Sequence, residues 1–213
     1  MSQVACVTAG KREQTKLQNR QAILDAARGV FGEMGYEACT VRDIIRRTGL
    51  AAGTFYNYYR SKEEVYLALS EDGARRFAPV LKAQRERATD WLSFMRGAIQ
   101  GYFDFLADEH RSWLDRRPPG EPQPHVYGET PEMAAVFAEV RDAISQGVNV
   151  GGSAAADPDY LTAACIAIAR DVGFRMLNRR PVDTQAAADF TLAMILFGMK
   201  GLAAPETPIG AQP

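Results

Sequence analysis

Apolar residues recur every three or four positions along almost the whole chain, and no stretch alternates strictly enough to indicate a β-strand. Helix-start residues precede many of these stripes, and glycines follow several of them. The sequence therefore predicts an all-α protein. We expect helices at about residues 16–34, 41–48, 52–58, 61–87, 90–108, 110–116, 131–148, 158–178 and 184–202.

Proline and glycine mark the connections between these helices. Five prolines within residues 117–131 predict a loop, and a Gly- and Ala-rich stretch predicts a flexible link over 147–157. We expect a disordered basic arm over residues 1–15 and a disordered tail over 203–213. The remaining chain is predicted to form two domains, residues 16–62 and residues 63–202.

Charge is divided unevenly along the chain. The formal net charge is −1, but residues 1–62 contain ten Lys or Arg against five Asp or Glu, and the remainder is acidic. Such asymmetry points to a polyanion as a partner of the first part alone. By itself, an excess of this size is also common on solvated surfaces.

Composition narrows the classes of protein. Three cysteines (Cys6, Cys39 and Cys165) lie far apart in no metal-ligand spacing, which favours free thiols in a reducing cytoplasm. Two histidines make a histidine-rich metal site a poor fit, so we expect neither metal nor cofactor. Uncharged stretches such as residues 190–199 are far shorter than the roughly 20 residues that a bilayer requires. No apolar stretch of signal-peptide length follows residue 1. The sequence thus predicts a cytoplasmic protein without a membrane span.

The first domain has the pattern of a helix-turn-helix. Its second and third helices are joined by a glycine-containing turn of about four residues. The third helix is too short to be stable alone, so it must be held by packing onto the first two. The residues placed to do so are Ile45, Leu50, Phe55 and Tyr59. The side chains left over carry hydroxyl groups and an amide with almost no acid, which suits a groove lined by phosphates and base edges.

These residues resemble a known family. Residues 40–64, TVRDIIRRTGLAAGTFYNYYRSKEE, are similar to the DNA-binding signature of tetracycline-repressor (TetR) family transcription regulators. Residues 23–36, ILDAARGVFGEMGY, resemble the family's first helix. The motif covers less than a quarter of the chain. The resemblance implies a cytoplasmic homodimer that binds a palindromic operator in double-stranded DNA. It also implies a C-terminal helical domain that binds a small molecule and forms the dimer through its last two long helices.

Carried over by position, the resemblance implies a set of DNA-contacting residues in the second and third helices and at the start of the fourth. They are Thr40, Arg42, Ala51, Ala52, Gly53, Thr54, Tyr56, Asn57, Tyr58 and Lys62. Tyr56 and Lys62 occupy typical phosphate-contact positions, whereas Phe55 and Tyr59 occupy core positions. Ala51 and Ala52 depart from the family, since many members carry polar residues there. Base recognition here should therefore rely on fewer hydrogen bonds, with methyl contacts or DNA shape contributing.

The resemblance also implies an effector pocket, for which the sequence supplies apolar, aromatic and polar candidates. They are Phe94, Met95, Ala98, Tyr102, Phe105, Trp113, His125, Tyr127, Phe137 and Arg141. For any one of the apolar residues, ordinary core packing is the alternative. The proline loop 117–131 is a candidate lid. We expect a small apolar or aromatic effector, acting as inducer or as co-repressor.

The last helix is apolar nearly all round, and the helix before it carries one apolar stripe beside small residues. This pattern favours burial against a second subunit. The candidate dimer residues are Leu161, Cys165, Ile168, Val172, Phe190, Met194 and Phe197. Burial within a larger monomer core is the alternative.

An enzyme is the competing class. Residues 147–152, GVNVGG, lack the preceding strand that a phosphate-binding loop requires. Asp108, Glu109 and His110 are adjacent, so on a helix their side chains point apart. We therefore expect no catalytic site. A DNA-organising protein without effector control remains a second alternative.

Overall fold

A computed structural model describes residues 10–111, 130–151 and 157–202, which form eight α-helices and no strand. The helices are α1 (Lys11–Met34), α2 (Val41–Thr48), α3 (Ala52–Tyr56), α4 (Lys62–Arg87), α5 (Trp91–His110), α6 (Pro131–Gly151), α7 (Pro158–Leu177) and α8 (Thr184–Leu202). The predicted all-α class is confirmed. The described residues divide into two compact units, residues 10–70 and residues 71–111 with 130–151 and 157–202.

Capping residues set several helix ends where the sequence predicted them. Thr40 begins α2, because its hydroxyl oxygen accepts the Asp43 N–H while the Asp43 carboxylate accepts the Thr40 N–H. Gly49 ends α2 in the left-handed conformation at φ +68°, which a β-carbon would disfavour. Asp90 and Ser93 form the same reciprocal cap at the start of α5. Local sequence therefore determines these boundaries.

Ser61-Lys62-Glu63-Glu64 has the sequence pattern of a capping box, which is only half formed. The Ser61 hydroxyl oxygen accepts the Glu64 N–H at 3.2 Å, as expected. The Glu64 carboxylate instead accepts the Arg60 N–H at 2.7 Å, one residue before the predicted donor. Both interactions still satisfy backbone donors at the beginning of α4.

Two predicted irregular segments are helical in part. The prediction of a disordered arm over residues 1–15 is wrong from Lys11 onward, since α1 begins there; residues 1–9 lie outside the described part. Gly10 at the N-cap and a Glu13–Lys16 pair at 3.6 Å favour this first turn. The flexible link predicted from residue 147 is also wrong at its start, because α6 continues to Gly151. A glycine inside a helix costs only about 1 kcal/mol, which neighbouring turns can offset.

Three further predicted elements fall wholly or partly outside the described residues: the helix at 110–116, the proline loop 117–131 and the tail 203–213. Residues 152–156 of the predicted link also lie outside them. Within the described part, α5 includes His110 and Arg111 follows as a turn. Pro131 is the first residue of α6, as expected, and the Thr130 hydroxyl oxygen accepts the Met133 N–H at 3.3 Å.

The first unit is built around one apolar core. Ile23, Leu24, Ala27 and Val30 of α1 are almost completely buried. They belong to one cluster with side chains from the later helices, namely Ile44, Phe55, Tyr59 and Val65. Since α3 has only five residues, this cluster is what stabilises it.

The second unit is a helical bundle in which α5 packs against α6, α7 and α8. Phe103 of α5 is fully buried, and Gly173 of α7 lies so close that a β-carbon there would be 3.2 Å from its ring and 2.6 Å from Leu106. A side chain at position 173 would therefore require Leu106 to shift. Among the described residues, no helix is both long and apolar enough to cross a membrane.

Candidate nucleic-acid interface

The turn before α3 is held by side chain as well as by backbone. The Thr48 hydroxyl donates to the Ile45 carbonyl at 2.8 Å and accepts the Leu50 N–H at 3.0 Å. Phe55 is fully buried and Tyr59 is 8% exposed, so both are core residues, as expected. α3 is thereby held rigidly enough for its outer face to present a defined surface.

That outer face is small and weakly polar. Ala51, Ala52, Gly53 and Asn57 are exposed, and Tyr56 is 54% exposed. A β-carbon added at Gly53 would meet nothing within 4 Å, so the backbone here is open to close approach from outside. Among the described residues, the side chains of Tyr56 and Asn57 make no hydrogen bond. The structure therefore brings most of the predicted α3 contacts onto one free face.

Tyr58 and Thr54 differ from the rest of this predicted set. Tyr58 is half-buried and packs against the core cluster of the first unit, and Thr54 is half-buried. Because α3 ends at Tyr56, Tyr58 follows the turn rather than the helix and points partly inward. It presents less surface to a ligand than the sequence suggested.

The beginning of α2 offers a second set of polar groups. Thr40 and Arg42 are exposed, and Arg42 has no hydrogen-bond or ion-pair partner among the residues described. The Thr40 hydroxyl donates to Asp43 at 2.6 Å, and this bond together with the Thr40 N–H lowers the pKa of Asp43. Thr40 is thus shared between capping α2 and any external contact, whereas Arg42 is free.

Not every arginine of the first unit is free to contact a ligand. Arg47 donates two hydrogen bonds to Glu33 at 2.7 and 2.8 Å, which raises the pKa of Arg47 and fastens α2 to α1. Arg46 lies 3.4 Å from Asp43 but its side chain is 80% exposed. Arg60, which directly follows the α3 turn, is exposed and was missed by the sequence reasoning. Its position between α3 and α4 is the signal that could have found it.

Lys62 is engaged within the protein. Its Nζ lies 2.9 Å from the Tyr36 carbonyl oxygen, 3.4 Å from that of Cys39 and 3.5 Å from that of Glu37. It also lies 4.4 Å from the centre of the Tyr36 ring. The predicted phosphate contact would have to compete with these four interactions.

The predicted effector residues lie in the second unit, apart from Trp113, His125 and Tyr127, which are outside the described residues. Phe94 and Met95 are each 3% exposed and are core residues. Tyr102 and Phe105 are half-buried, and their rings each lie 5.5 Å from that of Phe77. Ala98 and Phe137 are also half-buried, and Arg141 pairs with Asp159.

An open cavity of about 240 Å³ lies elsewhere in this unit, between α5 and α8. It is lined by the charged residues Arg96 and Asp189 and by the apolar residues Leu192, Ala193, Leu196 and Phe197. None of the predicted effector residues lines this cavity.

The predicted dimer residues separate into two groups. Phe190, Met194 and Phe197 of α8 are 55%, 51% and 72% exposed, and their spacing places them on one face. On α7, Cys165 is only 6% exposed, while Leu161, Ile168 and Val172 are half-buried. Tyr160, 79% exposed, is an α7 residue that the sequence reasoning missed because the stripe was counted from Leu161.

The sequence is similar to those of known bacterial transcription regulators. Residues 23–69 match the family described as "Bacterial regulatory proteins, tetR family". The chain is 28% identical over 134 residues to the HTH-type transcriptional repressor AcnR of Corynebacterium efficiens, covering 63% of this chain and 64% of the relative. It is 26% identical over 186 residues to the HTH-type transcriptional activator FasR of Mycolicibacterium smegmatis, covering 85% and 83%. The chain thus spans less than two thirds of the length of the AcnR relative.

A solved structure shares the fold. The transcriptional regulator FadR from Bacillus subtilis, in complex with stearoyl-CoA, is similar with a TM-score of 0.63 at 18% identity, covering 84% of this chain and 98% of that one. At this identity the likeness is one of fold.

Proposed function

We propose that this chain, whose residues 23–69 match the tetR family of bacterial regulatory proteins, is a transcriptional regulator that binds a palindromic DNA operator and is released by a small effector. The observation that carries the proposal is the α2–turn–α3 element. It presents a small, hydroxyl- and amide-bearing face beside unpaired arginine, and a buried core holds it in place. Such a face fits the major groove of DNA.

In the proposed complex, α3 lies in the major groove. The hydroxyl of Tyr56 and the guanidinium of Arg42 contact phosphates, while Asn57 reads a base edge. Ala51 and Gly53 carry little side chain, so α3 can approach the bases closely and contact thymine methyl groups. Phosphate contacts supply most of the affinity, and they make it sensitive to salt.

A palindromic operator requires two copies of the chain. We assign the contact between them to the face of α8 that exposes Phe190, Met194 and Phe197. An apolar face of this kind is expected to be covered by a partner rather than by water. Two recognition helices then read half-sites about 34–36 Å apart, or a multiple of that distance.

The effector is assigned to the second unit, among the half-buried aromatic residues of α5 and α6, Tyr102, Phe105 and Phe137. Support comes from the FadR relative, whose structure contains stearoyl-CoA, a ligand with a long apolar chain. A binding equilibrium accounts for this function without a catalytic step, and a turnover assay that yields product from a bound ligand would contradict that view.

Release from the operator requires only a modest difference in the effector's affinity for two conformations of the protein. An effector that favours the conformation incompetent for DNA binding by about 1–3 kcal/mol weakens operator affinity roughly 5- to 150-fold. By linkage, operator DNA weakens effector binding by the same factor. A ligand with the opposite preference is a co-repressor.

The deciding experiment is selection from a random duplex DNA library with the purified full chain. We expect an enriched inverted repeat whose binding weakens as salt is raised. Stearoyl-CoA and small aromatic compounds are then added to the complex, and calorimetry measures ligand affinity with and without operator. Failure to enrich any sequence would contradict the function, and equal ligand affinities would contradict the coupling.

A further inference from the structure

Lys62 is the first residue of α4, a position that is electrostatically unfavourable for a cation. The amino-terminal end of a helix carries partial positive charge from its free N–H groups, so it favours acidic side chains. The next two residues, Glu63 and Glu64, follow that rule. A lysine here needs strong acceptors nearby to offset the unfavourable field.

The acceptors are supplied by the segment that joins α1 to α2. An ammonium group has three N–H donors, and Lys62 Nζ has three carbonyl oxygens within 3.5 Å, those of Tyr36, Glu37 and Cys39. The Tyr36 ring adds a fourth contact at 4.4 Å. The Lys62 ammonium is therefore directed at the segment 36–39, where it contacts Tyr36, Glu37 and Cys39.

Neighbouring residues hold the same segment. The Tyr36 hydroxyl donates to the Glu63 carboxylate at 3.0 Å, and burial together with this carboxylate raises the pKa of Tyr36. The Tyr36 ring is 8% exposed and lies 5.3 Å from the rings of both Phe31 and Tyr66. The first turn of α4 thus holds Tyr36 by its carbonyl, its ring and its hydroxyl.

The segment that is held leads directly to the proposed DNA contacts. Residues 36–39 are followed by Thr40, the N-cap of α2, and then by Arg42. A displacement of residues 36–39 would move both side chains relative to α3, on which phosphate and base contacts depend.

We propose that Lys62 is a positioning residue that fixes the α1–α2 connection, and with it Thr40 and Arg42, instead of contacting a DNA phosphate itself. The proposal rests on the proposed function for its DNA measurements, but its structural part can be measured without DNA. It reverses the role that family position alone suggests for this residue.

Salt dependence separates the two roles. A lysine that neutralises a phosphate contributes about 0.9 to the slope of log affinity against log salt concentration, whereas a lysine bound to carbonyl groups contributes nothing. We compare Lys62→Met with the matched control Arg42→Met, using the duplex enriched by selection. We expect Arg42→Met to lower the slope by about 0.9 per arginine. Lys62→Met should weaken binding about tenfold at an unchanged slope.

Amide hydrogen exchange of the free protein provides the second readout. Without the ammonium, residues 36–43 should exchange about tenfold faster in Lys62→Met, while α5 is unaffected. Tyr36→Phe loses only the hydroxyl bond to Glu63. It tests the same set of contacts between α4 and residues 36–39 with little risk to folding. It should give a smaller loss of affinity, again at an unchanged slope.

A double-mutant cycle tests whether Lys62 acts on DNA binding through Arg42 or only stabilises the fold. If Lys62 acts by placing Arg42, the loss from Lys62→Met should be largely absent when Arg42 is already Met. Additive losses, a lowered slope for Lys62→Met, or unchanged affinity would each overturn the proposal. If the wild-type protein enriches no DNA, the proposed function fails. Unchanged amide exchange over residues 36–43 in Lys62→Met would by itself overturn the proposed positioning role of Lys62.

Discussion

Replacing Phe197 by Glu should convert the proposed dimer into a folded monomer. Phe197 is 72% exposed in one chain, and Phe190 and Met194 beside it on α8 are 55% and 51% exposed. Large apolar side chains exposed together on one helix face mark a surface that binds another molecule, which we propose is a second copy of this chain. A carboxylate placed at the centre of that face would have to be buried without a partner.

The size of the effect follows from the exposed area. A phenylalanine buries about 150–250 Å² when fully covered. With 72% still exposed, covering Phe197 removes roughly 110–180 Å² from water, or about 2.8–4.5 kcal/mol at 25 cal/mol per Å². A twofold interface contains this residue twice, so about 5.5 kcal/mol is lost at the lower figure. Dimer affinity should fall by about 10⁴-fold, before the cost of burying the carboxylate is added.

Sedimentation velocity at micromolar concentration measures the outcome directly. The control is Leu17→Glu, which places the same charge at a 62%-exposed apolar residue of α1, in the other unit. We expect Leu17→Glu to remain dimeric and Phe197→Glu to sediment as a monomer with unchanged helical circular dichroism. A folded Phe197→Glu protein that still sediments as a dimer would refute the placement of the interface.

Three further predictions concern single side chains. Tyr56→Phe should weaken binding about 2- to 10-fold on all sequences, whereas Asn57→Ala should change the preferred base at one position; identical selection profiles and affinities for both variants and wild type would contradict these roles. Arg47→Gln should lower the free energy of unfolding by only about 0.5–1 kcal/mol, because the pair with Glu33 is partly exposed; in a denaturant titration, the further addition of Glu33→Gln should cost little more. Burial raises the pKa of Cys165 to about 11, so its thiol stays protonated at pH 8. It should react with iodoacetamide only after denaturation, and labelling of the native protein at the unfolded rate, read by peptide mass mapping, would disprove this.

The sequence alone predicted most helices of this protein and its resemblance to the tetracycline-repressor family. Thr40, Gly49 and Asp90 act on backbone groups within a few residues, so their effect on helix ends can be read without knowing the fold. The same holds for the α2–turn–α3 motif, because its core positions are defined by short spacing. Where local signals are weak, as at the start of α1 and across Gly147, the predicted boundaries were wrong.

The availability of individual side chains was decided only by tertiary structure. Lys62 and Arg47 look equally free in the sequence, yet their partners lie on α1 or the segment after it, 14 to 26 residues away. Likewise, periodicity marked both α7 and α8 as apolar, but only packing within the second unit shows that Cys165 is covered and Phe197 is not. Hydrogen bonding and burial depend on which distant residues the fold brings into contact. A sequence pattern can therefore predict where a helix lies in the chain, but the fold decides which of its side chains remain free to bind.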